Sequence, residues 1–298
     1  MRALIDGDIV LYACGFAVES KLHKVYVEAD MEQGHIAEFK YKKELKAFLE
    51  LGEDSLCYET EEIVEPLSHA VHLAKQLIEK IIEATSATEY TVYLTGDSNF
   101  RDELVDYYKK NRDPTHKPVH YKALKAYLVE KHGAVIVEGQ EADDAMGIEQ
   151  HQRGVLNEAE SFGCTHWPNC DVMECDHSIE QSVICTTDKD LDMIPGWHYN
   201  WTKDSKYWID EAQAIRWFYT QLLMGDPTDN IKGIEGIGKV KALQILEGLE
   251  TVDDYYTAVY NAYSVNYDMI SEVLQENADL LWIRREENVG WRPPECLN

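Results

Sequence analysis

Acidic side chains follow each of four apolar, strand-like segments of the sequence, and their spacing could support metal chemistry. The acids are Asp6, Asp97, Glu141, Asp143, Asp144, Asp188 and Asp190. If the four segments form one parallel sheet, their carboxyl ends meet at one edge, where ligands of such sheets bind. An acid at a helix start also caps amides, which is a sufficient explanation for Glu141 or Asp143 alone. Four coincidences at one edge instead favour a common acidic crevice.

Such a crevice requires compensating charge. Converging carboxylates raise one another's pKa values and destabilise the fold unless cations neutralise them. Oxygen ligands favour Mg²⁺ or Mn²⁺ over zinc, and several carboxylates suit two ions about 4 Å apart. Asp226 and Asp229, on the polar stretch "GDPTDN", could reach the same crevice. We therefore expect two Mg²⁺ or Mn²⁺ ions, one activating a water and the other stabilising a leaving oxygen.

A basic stretch lies in an otherwise acidic chain. The 298 residues carry a formal net charge of −27, which by itself disfavours nucleic acid. Residues 107–127 nevertheless contain one acid, Asp113, and six basic residues: Lys109, Lys110, Arg112, Lys117, Lys122 and Lys125. They could form a solvated helix face or a phosphate-binding patch. Beside two metal ions, the patch predicts phosphodiester hydrolysis, because hydrolysis of a monoester would not need so long a basic stretch.

A glycine-rich stretch, "GIEGIGK", leads directly into an apolar-faced helix. Gly236 and Gly238 allow close backbone approach, and amides at a helix start bind phosphate whatever the base. Lys232, Lys239 and Lys241 add positive charge. An ordinary joint between two helices is the simpler interpretation. The position of the glycine-rich stretch directly after "GDPTDN" instead favours a contact with nucleic acid.

Strand and helix patterns alternate along the chain. Strands are predicted at residues 2–5, 90–95, 134–137, 182–187 and 197–201, with a hairpin at 25–27 and 36–41. Helices are predicted at residues 43–51, 66–84 and 121–131, from near 141, and from 210 onward. Alternation of this kind is typical of an α/β fold with a parallel sheet.

The seven cysteines indicate the redox state of the compartment and a candidate site for a second kind of metal ion. No signal peptide or membrane span is recognisable, so reduced thiols in the cytoplasm are expected. The segment "GCTHWPNCDVMECDH" could supply four tetrahedral zinc ligands, Cys164, Cys170, Cys175 and His177. The alternative is a flexible surface loop with free thiols.

Five motifs, in order, resemble those of the 5′-nuclease superfamily, and within it the small phage 5′→3′ exonucleases. They are "LIDGDIVLY", "NFRDELVDYYKKNR", "GQEADDAMG", "TTDKDLDMI" and "MGDPTDNIKGIEGIGKVKA". The resemblance implies a PIN-like (resolvase-like) parallel-sheet nuclease core over residues 1–209, with a helical arch at about 101–131. It also implies a helical region, 210–298, with a helix-three-turn-helix (SAM-fold-like) at about 222–247. Residues about 20–62 and 155–180 look like additions, the second holding the Cys/His segment at about 160–178.

The resemblance also implies roles for individual residues. The first metal site would use Asp6, Asp97, Glu141, Asp143 and Asp144, and the second Asp188, Asp190, Asp226 and Asp229. Lys109 would contact the scissile phosphate, with Arg101 and Arg112 in support. DNA contacts would come from Lys110, Lys117, Lys122, Lys125, Lys232, Gly236, Gly238, Lys239 and Lys241, with K⁺ at the helix-three-turn-helix. Tyr108 and Tyr121 would either stack on a displaced base or pack within the arch.

The expected function is that of a metal-dependent 5′→3′ exonuclease and flap endonuclease acting on DNA near 5′ ends, in phage-type replication or repair. RNase H-like primer removal from an RNA/DNA hybrid would be compatible with the same site. We expect a monomer in the cytoplasm, the host's if the protein is phage-encoded. Two alternatives are a PIN-type endoribonuclease and a non-catalytic DNA-end or junction binding protein.

Overall fold

The computed structural model describes residues 1–28, 31, 34–51, 55–113, 115–160 and 181–294, with the backbone alone at 154–160. The strands are β1 (Arg2–Asp6), β2 (Glu19–Val27), β3 (Ala37–Phe39), β4 (Leu56–Val64), β5 (Glu89–Asn99), β6 (Val135–Gly139), β7 (Ser182–Cys185), β8 (Gly196–Asn200), β9 (Ser205–Ile209), β10 (Gly225–Asp226) and β11 (Ile231–Lys232). The helices are α1 (Gly7–Phe16), α2 (Lys42–Leu51), α3 (Leu67–Thr85), α4 (Phe100–Leu104), α5 (Tyr121–His132), α6 (Ala142–Glu160), α7 (Glu211–Met224), α8 (Lys239–Ile245), α9 (Val252–Ser264) and α10 (Ile270–Leu281).

A six-stranded sheet orders its strands β6-β5-β1-β7-β8-β9, and all neighbours are parallel except β8 and β9. The central strand β1 is fully apolar between its ends, and Ala3, Leu4 and Ile5 have no exposed surface. Parallel strands buried on both faces are expected to be such apolar runs. The predicted α/β fold with a parallel sheet is confirmed, and β1 delivers Asp6 to the middle of the sheet's carboxyl edge.

Four strands, β4, β9, β10 and β11, were not predicted from the sequence. The stretch interpreted as an acidic connection contains β4, which pairs antiparallel with β2 over its whole length. Its charge is compensated across the sheet: the Lys21 and Lys24 ammoniums lie 3.0 Å and 2.7 Å from the Glu62 and Glu61 carboxylates. The others are β9, antiparallel to β8, and the short antiparallel pair β10 and β11. The predicted hairpin is present as β2 and β3.

The chain divides into two compact units. One contains Met1–Ile9, Ile78–His116 and Leu128–Asn298, and the other Val10–Leu77 and Lys117–Tyr127. The predicted boundary at residue 209 does not coincide with this division, because α7 to α10 share one hydrophobic core with the six-stranded sheet. Phe218 and Leu222 of α7 belong to the same buried cluster as Leu4 and Ile184. Within the stretch predicted as an arch, the helices are α4 and α5, and the described residues between them form turns and irregular backbone.

The predicted helix-three-turn-helix corresponds to α7, the β10–β11 hairpin, a loop and α8. Gly225 ends α7 with φ 70°, a conformation that favours glycine. A Cβ there would overlap the backbone nitrogen of Gly233 and lie 2.5 Å from the Ile231 carbonyl oxygen. The close approach of these two backbones therefore places Asp226.

We expect the Gly225→Ala variant to lose on the order of 3 kcal/mol of unfolding free energy, because it adds steric overlap to backbone strain. Gly236→Ala is the matched control: its φ is 75°, but beyond its chain neighbours no atom of a described residue lies within 4 Å of the added Cβ. It should lose only about 1 kcal/mol, the strain alone. Urea denaturation of both variants measures the difference, and equal losses would contradict the packing argument.

Among the helices in the described part of the chain, none combines the length and apolar character needed to cross a membrane.

Candidate functional site

Asp6 stands at the end of the central strand and is only 3% exposed. Its carboxylate accepts hydrogen bonds from the Ile9 amide at 3.0 Å and the Thr186 hydroxyl at 2.7 Å. The helix α1 begins immediately afterwards at Gly7, where a Cβ would lie 2.5 Å from the Tyr93 carbonyl oxygen. Glycine at this position therefore keeps Asp6 against the neighbouring strand β5.

Four more aspartates approach the same edge from other elements. Asp143 lies in the first turn of α6, and Asp226 lies in β10. Asp188 and Asp190 follow β7, where the Asp188 carboxylate accepts the Asp190 amide at 2.9 Å. Asp6, Asp143, Asp188, Asp190 and Asp226 are together called the acidic cluster.

Mutual repulsion and burial dominate the electrostatics of the cluster. Burial, with repulsion from Asp8 and Asp188, raises the pKa of Asp6 to about 7. Burial, with repulsion from Asp188 and Asp226, raises the pKa of Asp190 to about 7. The pKa of Asp143 is raised well above its usual value by burial and then by Asp6 and Asp188. Within the described residues, the only basic group at ion-pair distance from these five carboxylates is Lys189, 3.4 Å from Asp190.

The chemistry of this donor set fits hard divalent cations. All donors are carboxylate oxygens, and their repulsion is what a 2+ ion would relieve. The side chains are not gathered around one point: among the described residues, no group of three His, Cys, Asp or Glu is arranged to hold an ion. The site therefore has the charge for metal binding, and ion coordination would draw the carboxylates together.

We expect metal-free protein to lose stability between about pH 4 and about pH 7. Asp6 has a usual pKa of 3.8 and a folded pKa of about 7, so the folded state binds the proton more tightly in that window. Stability then falls as pH rises, by an amount on the order of a few kcal/mol, and Mg²⁺ should restore it above pH 7. Urea unfolding in EDTA across this range measures the slope. Asp6→Asn should reduce the slope without removing it, because the pKa values of Asp143 and Asp190 are raised as well, and a rise in wild-type stability with pH would contradict the assignment.

Asp144 is held by cations and amides rather than joining the acidic cluster. It is fully buried, and its two oxygens accept from the Arg101 guanidinium at 2.6 Å and 3.0 Å. Burial alone would raise its pKa, but Arg101 lowers it below its usual value. Arg101 is 2% exposed and also donates to the Leu280 and Trp282 carbonyls. This placement differs from the expected metal and phosphate roles, because the pair is enclosed under the C-terminal segment.

Glu141 and Asp229 are paired with the cations predicted to bind phosphate. The Lys109 ammonium forms an ion pair with Glu141 and lies 3.5 Å from Asp229, which also pairs with Arg112. Burial alone would lower the pKa of Lys109, but Glu141 and Asp229 raise it. The Tyr108 hydroxyl donates to Glu141 at 3.1 Å and to Asp229 at 3.2 Å. Tyr108 is only 4% exposed, which favours packing over base stacking.

Asp97 is exposed, and no described contact brings its carboxylate to the acidic cluster. Its amide donates to Glu138 at 3.1 Å, because β5 continues to Asn99 past an irregularity in its pairing with β6. Asp8 lies closer to the acidic cluster than Asp97 does: its carboxylate accepts a hydrogen bond from the Thr95 amide, and it contributes to the raised pKa of Asp6. The sequence "DGD", which places Asp8 two positions after Asp6, is the feature from which this role could have been predicted.

Most predicted DNA-contacting residues are at the surface. The exposed ones are Lys110, Arg112, Lys117, Lys122, Lys232, Gly236, Gly238, Lys239 and Lys241, and Lys125 is half-buried. Lys117, Lys122 and Lys125 belong to the second compact unit. The Lys239 and Lys189 ammoniums lie 4.9 Å and 5.3 Å from the centre of the Trp217 ring. The candidate zinc ligands Cys164, Cys170, Cys175 and His177 lie outside the described residues.

No family model matches the chain. The exodeoxyribonuclease of Enterobacteria phage T3 is 29% identical over 148 residues, 48% of this chain and 42% of that protein. The 5'-3' exonuclease of Mycoplasma genitalium is 25% identical over 203 residues, 66% of this chain and 66% of that protein. The match thus spans less than half of the length of the T3 protein.

Among solved structures, the T5 D15 protein co-crystallized with metal ions aligns with a TM-score of 0.52 at 17% identity. The alignment covers 95% of this chain and 88% of that chain, so the fold is shared over nearly the whole length. With the sequence relatives, this confirms the resemblance of the chain to the 5′-nuclease superfamily, near the phage exonucleases.

Proposed function

We propose that the chain is a metal-dependent, structure-specific 5′ nuclease that hydrolyses DNA phosphodiester bonds near 5′ ends or 5′ flaps. One observation carries this conclusion: a cluster of mutually repelling carboxylates lies on the same compact unit as the Lys109–Glu141 and Arg112–Asp229 ion pairs. A group of carboxylates with little neighbouring positive charge suits metal ions, and basic side chains next to such a group suit a phosphate. The relatives named exodeoxyribonuclease and 5'-3' exonuclease support the choice of reaction.

In this proposal the acidic cluster holds two divalent cations, with Mg²⁺ as the working ion. These ions, when bound, would activate a water for attack on the phosphodiester and offset charge on the leaving oxygen. Lys109 and Arg112 would break their ion pairs with Glu141 and Asp229 and bind the scissile phosphate instead. Glu141 and Asp229 would then be free to interact with the metal ions. Arg101 and Asp144 keep the start of α6, and with it Asp143, in place. Asp97 would act only if its strand end moved.

The substrate path is a proposal of the same kind. Lys232, Lys239 and Lys241 would contact duplex backbone beside the exposed Gly236 and Gly238, where K⁺ could bind. Lys110, Lys117, Lys122 and Lys125 would contact the displaced strand. An RNA/DNA hybrid presents a similar backbone, so primer removal in the host cytoplasm by a monomer fits the proposal. A zinc site in residues 160–178 remains a separate proposal.

Incubation with a 5′-end-labelled flap duplex and with single-stranded RNA, each with Mg²⁺ or EDTA, tests the function. We expect cleavage of the flap near its junction with Mg²⁺ and none with EDTA. Cleavage of RNA alone would indicate the endoribonuclease. Tight flap binding without cleavage in Mg²⁺ or Mn²⁺ would indicate the non-catalytic junction binder.

A further inference from the structure

The phosphate-binding residues and the metal-binding residues lie on two segments that are hydrogen-bonded to each other. We call residues 107–112 the basic segment and residues 226–230 the aspartate loop. The Lys109 amide donates to the Asp229 carbonyl at 3.0 Å. The Asn111 side-chain amide donates to the Pro227 carbonyl at 2.7 Å, and that of Asn230 donates to the Tyr107 carbonyl at 2.9 Å. Each segment therefore supplies one asparagine to the backbone of the other.

Both segments hold unusual backbone. Lys109 has φ 53° and Asn230 has φ 62°, the left-handed region that residues other than glycine rarely adopt. Asparagine tolerates it, but for lysine the conformation costs energy that surrounding contacts must offset. The Lys109 amide bond to Asp229 and the flanking asparagine bonds are such contacts. Strain of this kind, held at a candidate active site, points to a required geometry.

The hydrogen bonds between the two segments hold basic side chains of one segment close to carboxylates of the other. The two segments carry Lys109 and Arg112 on one side and Asp226 and Asp229 on the other. The Lys109 ammonium lies 3.5 Å from an Asp229 oxygen, and Arg112 forms an ion pair with the same carboxylate. When DNA and metal take over these charges, the ion pairs no longer connect the segments. The two asparagine bonds and the Lys109 amide bond involve no charged side chain and can persist.

We propose that Asn111 and Asn230 are positioning residues that keep the phosphate-binding cations in register with the metal-binding aspartates through the reaction. The proposal rests on the proposed function. It identifies the two side-chain amides, each bonded to a backbone carbonyl of the other segment, as the connection between the two halves of the site.

The variants Asn111→Ala and Asn230→Gly remove one amide each, and glycine keeps the left-handed backbone of position 230 accessible. A shift of about 1 Å in a catalytic group can lower a rate about 100-fold, so we expect kcat to fall about 10- to 100-fold with KM nearly unchanged. Asn266→Ala is the matched control, because its amide also donates to a backbone carbonyl, that of Ala262 at 2.8 Å, on an exposed surface. It should leave kcat unchanged.

Combination with Lys109→Ala distinguishes positioning from general destabilisation. If the asparagines act through Lys109, their effect on kcat should largely disappear in the Lys109→Ala background. An equal fold-loss in both backgrounds would overturn the proposal, as would an unchanged kcat in the single variants.

A second measurement does not depend on cleavage. Hydrogen exchange of peptides covering residues 105–113 should accelerate at least about tenfold in either asparagine variant, since the Lys109 amide bond opens more often. Unchanged exchange would overturn the inference even if the wild type is an active nuclease. Accelerated exchange with an inactive wild type would sustain the connection between the segments and contradict the proposed function instead.

Discussion

The Asp188→Asn variant should lose flap cleavage by about a thousandfold or more while binding the same DNA with similar affinity. Asp188 raises the pKa values of Asp6, Asp143 and Asp190, so it lies at the electrostatic centre of the acidic cluster. The substitution would remove a proposed metal ligand and leave the lysines proposed to contact DNA unchanged. Single-turnover cleavage in Mg²⁺ and fluorescence anisotropy with labelled flap DNA measure the two properties.

The same substitution should stabilise the metal-free protein, by roughly 1 kcal/mol, because one of several repelling charges is removed. Asp192→Asn is the control: this residue follows closely in sequence, but its carboxylate accepts a hydrogen bond from Tyr207 at 2.8 Å, which an amide oxygen can also accept. It should leave cleavage near the wild-type rate. Near-normal turnover of Asp188→Asn would contradict the metal assignment.

The Arg101→Met variant should behave in the opposite way and unfold more easily, by about 3–5 kcal/mol. The substitution leaves Asp144 as a buried carboxylate without its cation, and it removes the donors to the Leu280 and Trp282 carbonyls. A loss of this size corresponds to a melting temperature lower by about 5–8 °C for a chain of this length. Thermal unfolding in EDTA measures it without any contribution from metal.

Lys21→Met provides the comparison, because the Lys21–Glu62 ion pair is exposed and should change stability by less than about 1 kcal/mol. A stable but inactive Arg101→Met protein would instead favour the role that the resemblance implies, in which Arg101 supports Lys109 at the scissile phosphate. Loss of stability would show that Arg101 and Asp144 act as a structural pair.

The sequence predicted the acids at strand ends but could not tell which of them lie in the acidic cluster and which pair with arginine. Asp6, Asp188 and Asp190 follow apolar strands, and the parallel sheet brings them together as expected. Asp143 and Asp144 are adjacent in sequence, yet one belongs to the acidic cluster and the other binds Arg101. That difference depends on which side of α6 each residue faces and on a C-terminal segment distant in sequence.

Other misses have similar physical causes. The acidic strand β4 lacks an apolar pattern; it pairs with β2 along its whole length, and lysines of β2 offset the charge of its glutamates. Asp97 is displaced from the cluster because β5 continues beyond the predicted strand end. The hydrogen bonds between the basic segment (residues 107–112) and the aspartate loop (residues 226–230) join parts of the chain that are more than a hundred positions apart. Sequence periodicity carries no information on such contacts.

The enclosure of Arg101 has a consequence for synthesis of the chain. Its partners include the carbonyls of Leu280 and Trp282, and the amide of Arg284 donates to Asp144 at 3.0 Å. A nascent polypeptide that still lacks residues 280–284 can already contain β1 and α6, but it cannot complete the contacts around Arg101 and Asp144. The proposed nuclease activity should therefore appear only after residues 280–284 have emerged from the ribosome.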